Sequence, residues 1–586
     1  MFDKIVYISD HGAHVKVNDT TTNMINQHLV FVDGNRQIVG EVEYVHDDII
    51  EARFIGEIIN GKFQGGIIAK PSLTSSIRLM EESEMVMITG TNEFGNMSIG
   101  VSPFYNNKPV YMSINSLFSN HLTILGNSGS GKSYGTTRLL QSVFQTPNFY
   151  PYKASMIIFD NNGEYIKAFS NLTEINPNYH FKVITTSNYN NFEKLKIPVW
   201  LLNIDDLALL LRLDKVSQLT LLERMLKLVK IFSLTDDVSY RYKNHIIAKA
   251  MLSIFYSNKL PNTKRNDIFG IFNTCTTEEF NMEAVVQGAG YTRKFRECFN
   301  VDSQGNFTES ILVSKYIASF VDPELDNYEP TTFNKYTLED LEKALEFTLI
   351  SENWLNNDKT YGDSIAVKVK LHSLIISENK KFFEYDNFIG VEEYLSSLVI
   401  ENGRKYQLIN INLEDIDDSI AKVIVKIFSR IIFEYTKALQ NRATIPFNLV
   451  VEEAHRYIKS GEDIDIIGYN IFDRIAKEGR KYGVLLTLIS QRPVELSETV
   501  MSQCANFLIF KTTHPRDIEY ISKMVPNITE EIVEKQKALQ PGYCLCFGAA
   551  FKVPLILKVN LPNPVPESAN CDVLKTWTII NNQNNQ

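Results

Sequence analysis

An α/β fold with a parallel sheet, preceded by a β-rich unit and interrupted by a long helical stretch, is predicted by three features of this sequence. Between Leu122 and Asp160 a short apolar strand, a Gly-rich loop, a helical pattern and a second buried strand follow one another. That is the order of a parallel βαβ unit. Residues 1–105 are cut into short β-branched runs by Gly and Asn/Asp clusters, as in a small barrel or sandwich. Residues 203–400 place apolar side chains at three- and four-residue spacing, the mark of amphipathic helices.

Composition bounds the function classes. The 586 residues are 44% hydrophobic and 22% charged, which excludes a disordered, collagenous or rod-like chain. The 59 basic and 69 acidic residues give a net charge of −10. A protein that coats nucleic acid by bulk charge is excluded; a local basic groove or pore is not. The six cysteines form no regular framework, so a reducing, cytoplasmic compartment is expected. Cys544 and Cys546 share one strand face and, with no second pair at ligand spacing, read as inert thiols rather than metal ligands. The amino terminus lacks the apolar core of a signal peptide, and no run of about 18 apolar residues suggests a membrane helix.

Taken in order, the strand runs of the first unit are His28–Val32, Ile38–Tyr44 and Met85–Thr89. Leu122–Leu125 and Met156–Phe159 open the α/β part. Leu207–Phe232 and Tyr240–Tyr256 read as helices, and 260–310, rich in Asn, Thr and Gly, as loops. Tyr406–Ile411 returns to strand, Ser419–Leu439 is a long helix, and Asn448–Val451, Tyr482–Ile489 and Phe507–Phe510 are further buried strands. Three prolines force residues 561–569 to run extended, and the Asn/Gln-rich terminus is expected to be disordered. The boundaries that follow are 1–105 for the β unit, 106–202 and 401–560 for the two parts of the α/β core, 203–400 for the helical insertion and 561–586 for an arm and tail.

The most specific signal is Gly126-Asn-Ser-Gly-Ser-Gly131-Lys132-Ser133. It fits G-x-x-x-x-G-K-[ST] and sits between an apolar strand and a helix. Asn127, Ser128, Gly129, Ser130, Gly131 and Tyr134 frame a loop whose backbone N–H groups can face phosphates, with the positive end of the following helix behind them. Lys132 is placed to reach the β- and γ-phosphates of ATP, and Ser133 to bind Mg²⁺. A phosphate loop needs a carboxylate strand, and Glu452-Glu453 after Phe447–Val451 supplies one. Glu452 would hold the metal; Glu453 would orient and deprotonate the attacking water. Asp160 and Glu164 form the alternative pair. Gln491, just past the strand Val484–Ile489, could sense the γ-phosphate, and Arg480 or Lys481 could stabilise transition-state charge in the same site or across a subunit boundary.

These stretches, together and in this order, resemble the HerA branch of the HerA/FtsK ATPases. Leu117–Ser133 is similar to that family's phosphate-loop region, and Phe159-Asp160-Asn-Asn-Gly-Glu164-Tyr165 to its Asp-x-x-Gly-Glu-Tyr segment. Val450–His455 resembles its carboxylate strand, and Arg474–Gly483 and Ser490–Pro493 its later signatures. The resemblance implies a RecA-like P-loop core, a small β-barrel at the amino terminus and a homo-hexameric ring that hydrolyses ATP and moves double-stranded DNA. By matched position it makes Glu453, Gln491 and Arg480 catalytic and Ser133 and Glu452 the Mg²⁺ ligands. Glu452 stands where many such motors carry Asp. It also implies an effector partner, a nuclease or a sirtuin-like NADase, in DNA processing or anti-phage defence. The alternative is an ATP-binding ring whose main role is to assemble such an effector; the acidic balance suits protein contact outside a ring. A small-molecule kinase or GTPase fits poorly, since no N-K-x-D motif is present.

Overall fold

The computed structural model describes residues 2–18, 24–188, 192–330, 332–352, 354, 358–461, 463–524, 530–568, 573 and 577. The Asn/Gln-rich terminus lies outside the described residues. At the centre of the molecule is a twelve-stranded sheet. Its order is Glu193–Lys194, Phe181–Thr185, Leu408–Asn412, Met156–Asp160, Phe447–Val451, Val484–Ser490, His121–Leu125, Cys504–Phe510, Tyr543–Gly548, Leu555–Val559, Asn96–Ser102 and Lys108–Ser113. From Glu193–Lys194 to Cys504–Phe510 every neighbouring pair is parallel. From there to Lys108–Ser113 every pair is antiparallel.

The parallel strands are uniformly apolar because both faces are covered. Ile124, Ile158, Val450 and Ile489 pack on one face with Leu139, Leu140, Val143 and Phe144 of the helix Lys132–Gln145. Their neighbours Leu125, Ile157, Phe159, Val451 and Leu488 point the other way, to the helices Asp418–Ala438 and Ile471–Tyr482. The alternation along each strand decides which helix each residue meets.

The first strands form a separate antiparallel sheet in the order Phe2–Ile8, Gly12–Val17, Ile49–Ile59, Arg36–His46, His28–Asp33, Ser76–Leu79, with Lys62–Gly65 on Ile49–Ile59. The expected barrel does not close: no ladder joins Phe2–Ile8 to Ser76–Leu79 among the described residues, leaving a curled sheet. Both faces of this sheet are in use. Leu29, Phe31, Val42 and Ala52 pack inside the curl, while Val30, Val39, Ile58 and Phe63 pack outward against Met97 and Ile99 of the central sheet.

Met85–Thr89, expected as strand, lies instead in the helix Glu82–Thr89. Glu84 starts it: its carboxylate accepts the Glu81 N–H at 2.8 Å and two guanidinium bonds from Arg78 at 2.7 Å each. This N-terminal device outweighs local β-propensity. The insertion is mainly helical, as expected, but its first helix is two, Ile204–Leu210 and Val216–Ser233, separated where Arg212 turns to φ +48°. Part of 260–310 is also helix, Pro261–Thr274. Proline stands at its start, where no N–H is needed, and Ile268, Ile271 and Phe272 bury one stripe.

Candidate functional site

The parallel strands deliver their chemistry at one edge, beyond their carboxyl ends, where ligands bind in open α/β sheets. After Leu125 the chain turns through Gly126 (φ +150°), Gly129 (φ +72°) and Gly131 (φ +103°). A Cβ on Gly126 would meet Phe510 Cβ at 2.6 Å, so both backbone conformation and space demand glycine. The loop is tied down locally. Asn127 N–H donates to Lys511 O at 2.9 Å, Asn127 Nδ2 to Thr513 Oγ1 at 2.8 Å, and Ser130 Oγ to Asn127 O at 2.7 Å. Lys132 Nζ donates to Asn127 O at 2.9 Å. Burial lowers its pKa, opposed by the charges of Glu453, Glu164 and Glu452.

Four carboxylates gather opposite this loop. Asp160 is fully buried and serves as an acceptor hub for Glu164 N–H at 3.1 Å, Tyr165 N–H at 3.0 Å and Asn410 Nδ2 at 3.0 Å. Glu452 is also buried and accepts the Asn161 N–H at 3.1 Å. Burial, and then Asp160, raise its pKa well above the usual carboxylate range. Glu164 is raised first by burial, then opposed by a hydrogen bond from the Ser133 hydroxyl. Glu453 is raised by burial and opposed by Lys132 and Gln491.

Glu453 adopts φ +47°, ψ 46°, a left-handed conformation that a non-glycine residue keeps only when its surroundings hold it there. Gln491 Nε2 donates to Glu453 Oε1 at 3.0 Å. Glu453 Oε2 has no hydrogen-bond partner, although His455 Nδ1 lies 3.3 Å away. Glu164 Oε2 is likewise buried and unpartnered. Two orphaned carboxylate oxygens facing a lysine and a Gly-rich turn suit a ligand set that brings a metal ion and water. The residues present therefore fit Mg²⁺ and a nucleoside triphosphate.

Of the residues expected to act, Lys132, Ser133, Glu452, Glu453 and Gln491 come together here. Arg480 does not. It is exposed on the helix Ile471–Tyr482, and its charge is felt by His121, the first residue of the strand that ends at the phosphate loop. His121 Nε2 meets Ala476 O, one turn before Arg480, at 3.1 Å. A strand of about 3.3 Å per residue separates that point from Gly126, so Arg480 is outside its own chain's site. Lys368 and Lys370, the basic segment considered for a pore, are engaged with Glu346 (2.7 Å) and Arg212 O (2.7 Å). Cys544 and Cys546 are buried free thiols with sulfurs 3.4 Å apart. Asn410, which donates to the Asp160 carboxylate, and Gln141, which donates to Ala168 O, carried no motif; a polar residue inside an apolar strand was the one available hint, and only for Asn410.

Residues 98–277 match the family model described as the central domain of the helicase HerA. The chain is 29% identical over 202 residues to a DNA double-strand break repair helicase HerA of Saccharolobus solfataricus, covering 34% of this chain and 40% of that protein. It is 35% identical over 114 residues to the Pyrococcus furiosus protein of the same name, 20% of each chain. The matched segments thus span less than half the length of these relatives. Among solved structures, VirB4 of Thermoanaerobacter pseudethanolicus covers 80% of this chain and 98% of its own, at 13% identity and a TM-score of 0.45.

Proposed function

This chain is HerA-like over its nucleotide-binding core, and on that premise we propose that it is an ATPase that works on double-stranded DNA as a ring of six subunits. The observation that carries the reading is the convergence of Lys132, Ser133, Glu164, Glu453 and Gln491 at one edge of the parallel sheet, with two carboxylate oxygens left unpaired. Lys132 and the N–H groups of Gly129 and Gly131–Ser133 bind the phosphates. Ser133 and Glu452 would hold Mg²⁺, which would neutralise phosphate charge. Glu453 takes a proton from water as the water oxygen attacks the γ-phosphorus and the bond to the departing diphosphate oxygen breaks. Gln491 keeps Glu453 aimed.

The ring is supported by Arg480. Placed away from its own phosphate loop and exposed, it has a role in charge stabilisation only in a neighbour's site. Translocation is supported by the HerA likeness, and the effector reading by two features of the exterior: the net charge of −10 and the exposed Val6, Tyr7, Tyr44 and Val45 of the first sheet. ATP turnover by the purified chain, measured with and without linear duplex DNA, tests the motor. Stimulation by DNA that weakens with salt supports it. Unstimulated turnover, together with a stable complex with a nuclease or NADase, would leave the effector-assembling ring as the function.

A further inference from the structure

The proline-enforced arm does not leave the molecule where the last sheet strand ends. Asn560 N–H donates to Ile99 O at 2.9 Å, and the arm then runs beside the helix Lys132–Gln145, burying Pro562 and Pro566. Gln141 of that helix, 1% exposed, receives it. Its Nε2 donates to Pro564 O and to Ala168 O, both at 2.9 Å, and its Oε1 accepts the Asn563 N–H at 3.0 Å. Both amide hydrogens and the carbonyl are used, so the side chain is held in one orientation. Further along, Glu567 N–H donates to Glu164 O at 2.8 Å.

The segment carrying Glu164 is therefore tied to the helix carrying Lys132 and Ser133 by two routes. One runs directly through Ala168, and one runs through the arm. The Glu164 carboxylate has an unpartnered oxygen, so its aim depends on where its backbone is held. We infer that residues 560–568 are a strap that, through Gln141 and the Glu567 N–H, positions Glu164 over the phosphate loop for ATP turnover. This rests on the ATPase reading, and Gln141 and Glu567 are positioning residues within it.

Proline at 567 removes one N–H and keeps the arm extended; alanine keeps the N–H. In the full chain, Glu567→Pro lowers kcat about fivefold, the worth of one hydrogen bond. The nucleotide Kd stays within about twofold and Glu567→Ala is unchanged. Gln141→Leu behaves as Glu567→Pro does, and combining the two adds less than the product of their effects. Equal turnover of the Pro and Ala variants overturns the strap, as does a loss that falls on nucleotide affinity alone. Two controls separate the readings. Full turnover by Glu164→Gln, with Lys132→Ala inactive, defeats the strap and leaves the ATPase standing. Full turnover by Lys132→Ala defeats the ATPase reading itself.

Discussion

Gln491 donates through Nε2 to Glu453 Oε1 at 3.0 Å, joining the tips of two neighbouring parallel strands. The bond favours the ionised form of a carboxylate whose pKa burial has raised. Glu453 must be ionised to accept a proton from water, so the acid limb of turnover lies above the ordinary glutamate range. Gln491→Leu removes the opposing influence and moves that limb to higher pH. A pH profile of kcat with the same acid limb in both proteins would exclude Glu453 as the base.

Lys132→Ala is expected to abolish nucleotide binding, measured with a fluorescent ATP analogue. Glu453→Gln is expected to bind it normally and to lose turnover by about 100-fold or more, the usual worth of a general base. Turnover retained by Glu453→Gln would transfer the proton-accepting role to Glu164.

Burial and Asp160 favour the protonated form of Glu452, so metal binding there competes with a proton. The Mg²⁺ concentration that half-saturates turnover should therefore fall as pH rises. In Glu452→Gln this dependence disappears along with tight metal use. A pH-independent Mg²⁺ requirement in the unmodified chain would remove Glu452 from the metal site.

Arg480→Ala alone and Glu453→Gln alone should both be inactive. Mixed subunits of the two regain turnover if the arginine acts across a boundary, because some boundaries then pair an intact Glu453 with an intact Arg480. Absence of recovery in mixtures that are shown to co-assemble counts against the shared site.

His121 supplies a stability test. Leu486 N–H donates to its Nδ1 at 3.0 Å, so its Nε2–H faces Ala476 O and the ring is neutral. Burial takes its pKa from 6.5 to about 4. The unfolded chain then binds more protons than the folded one between those values. Stability is full above about pH 6.5 and falls toward pH 4, by up to about 3 kcal/mol from this residue. Denaturant midpoints at pH 7 and pH 5 should differ less in His121→Gln than in the parent.

The phosphate loop, the acidic strand end and the glutamine at the next tip were all legible in the sequence. Each is a short motif at the boundary of an apolar strand, and local pattern is enough to place it. Asn410 and Gln141 were not, because their partners lie 250 and 423 positions away. Met85–Thr89 was misread as strand because the carboxylate that starts its helix acts through Arg78 and a backbone N–H, not through side-chain periodicity.

By itself the sequence determined that the chain has a phosphate-binding strand–loop–helix and which side chains can act there, since glycine conformations, a lysine and carboxylates at strand ends are local chemistry. Tertiary structure alone decided three things. The amino-terminal strands form a curled sheet whose outer face packs on the core. Burial of Glu452 against Asp160 raises its pKa. Arg480 lies beyond its own site because strand length separates the two ends of a parallel sheet. Each depends on distances between residues far apart in the chain, and only the packed sheet sets those distances.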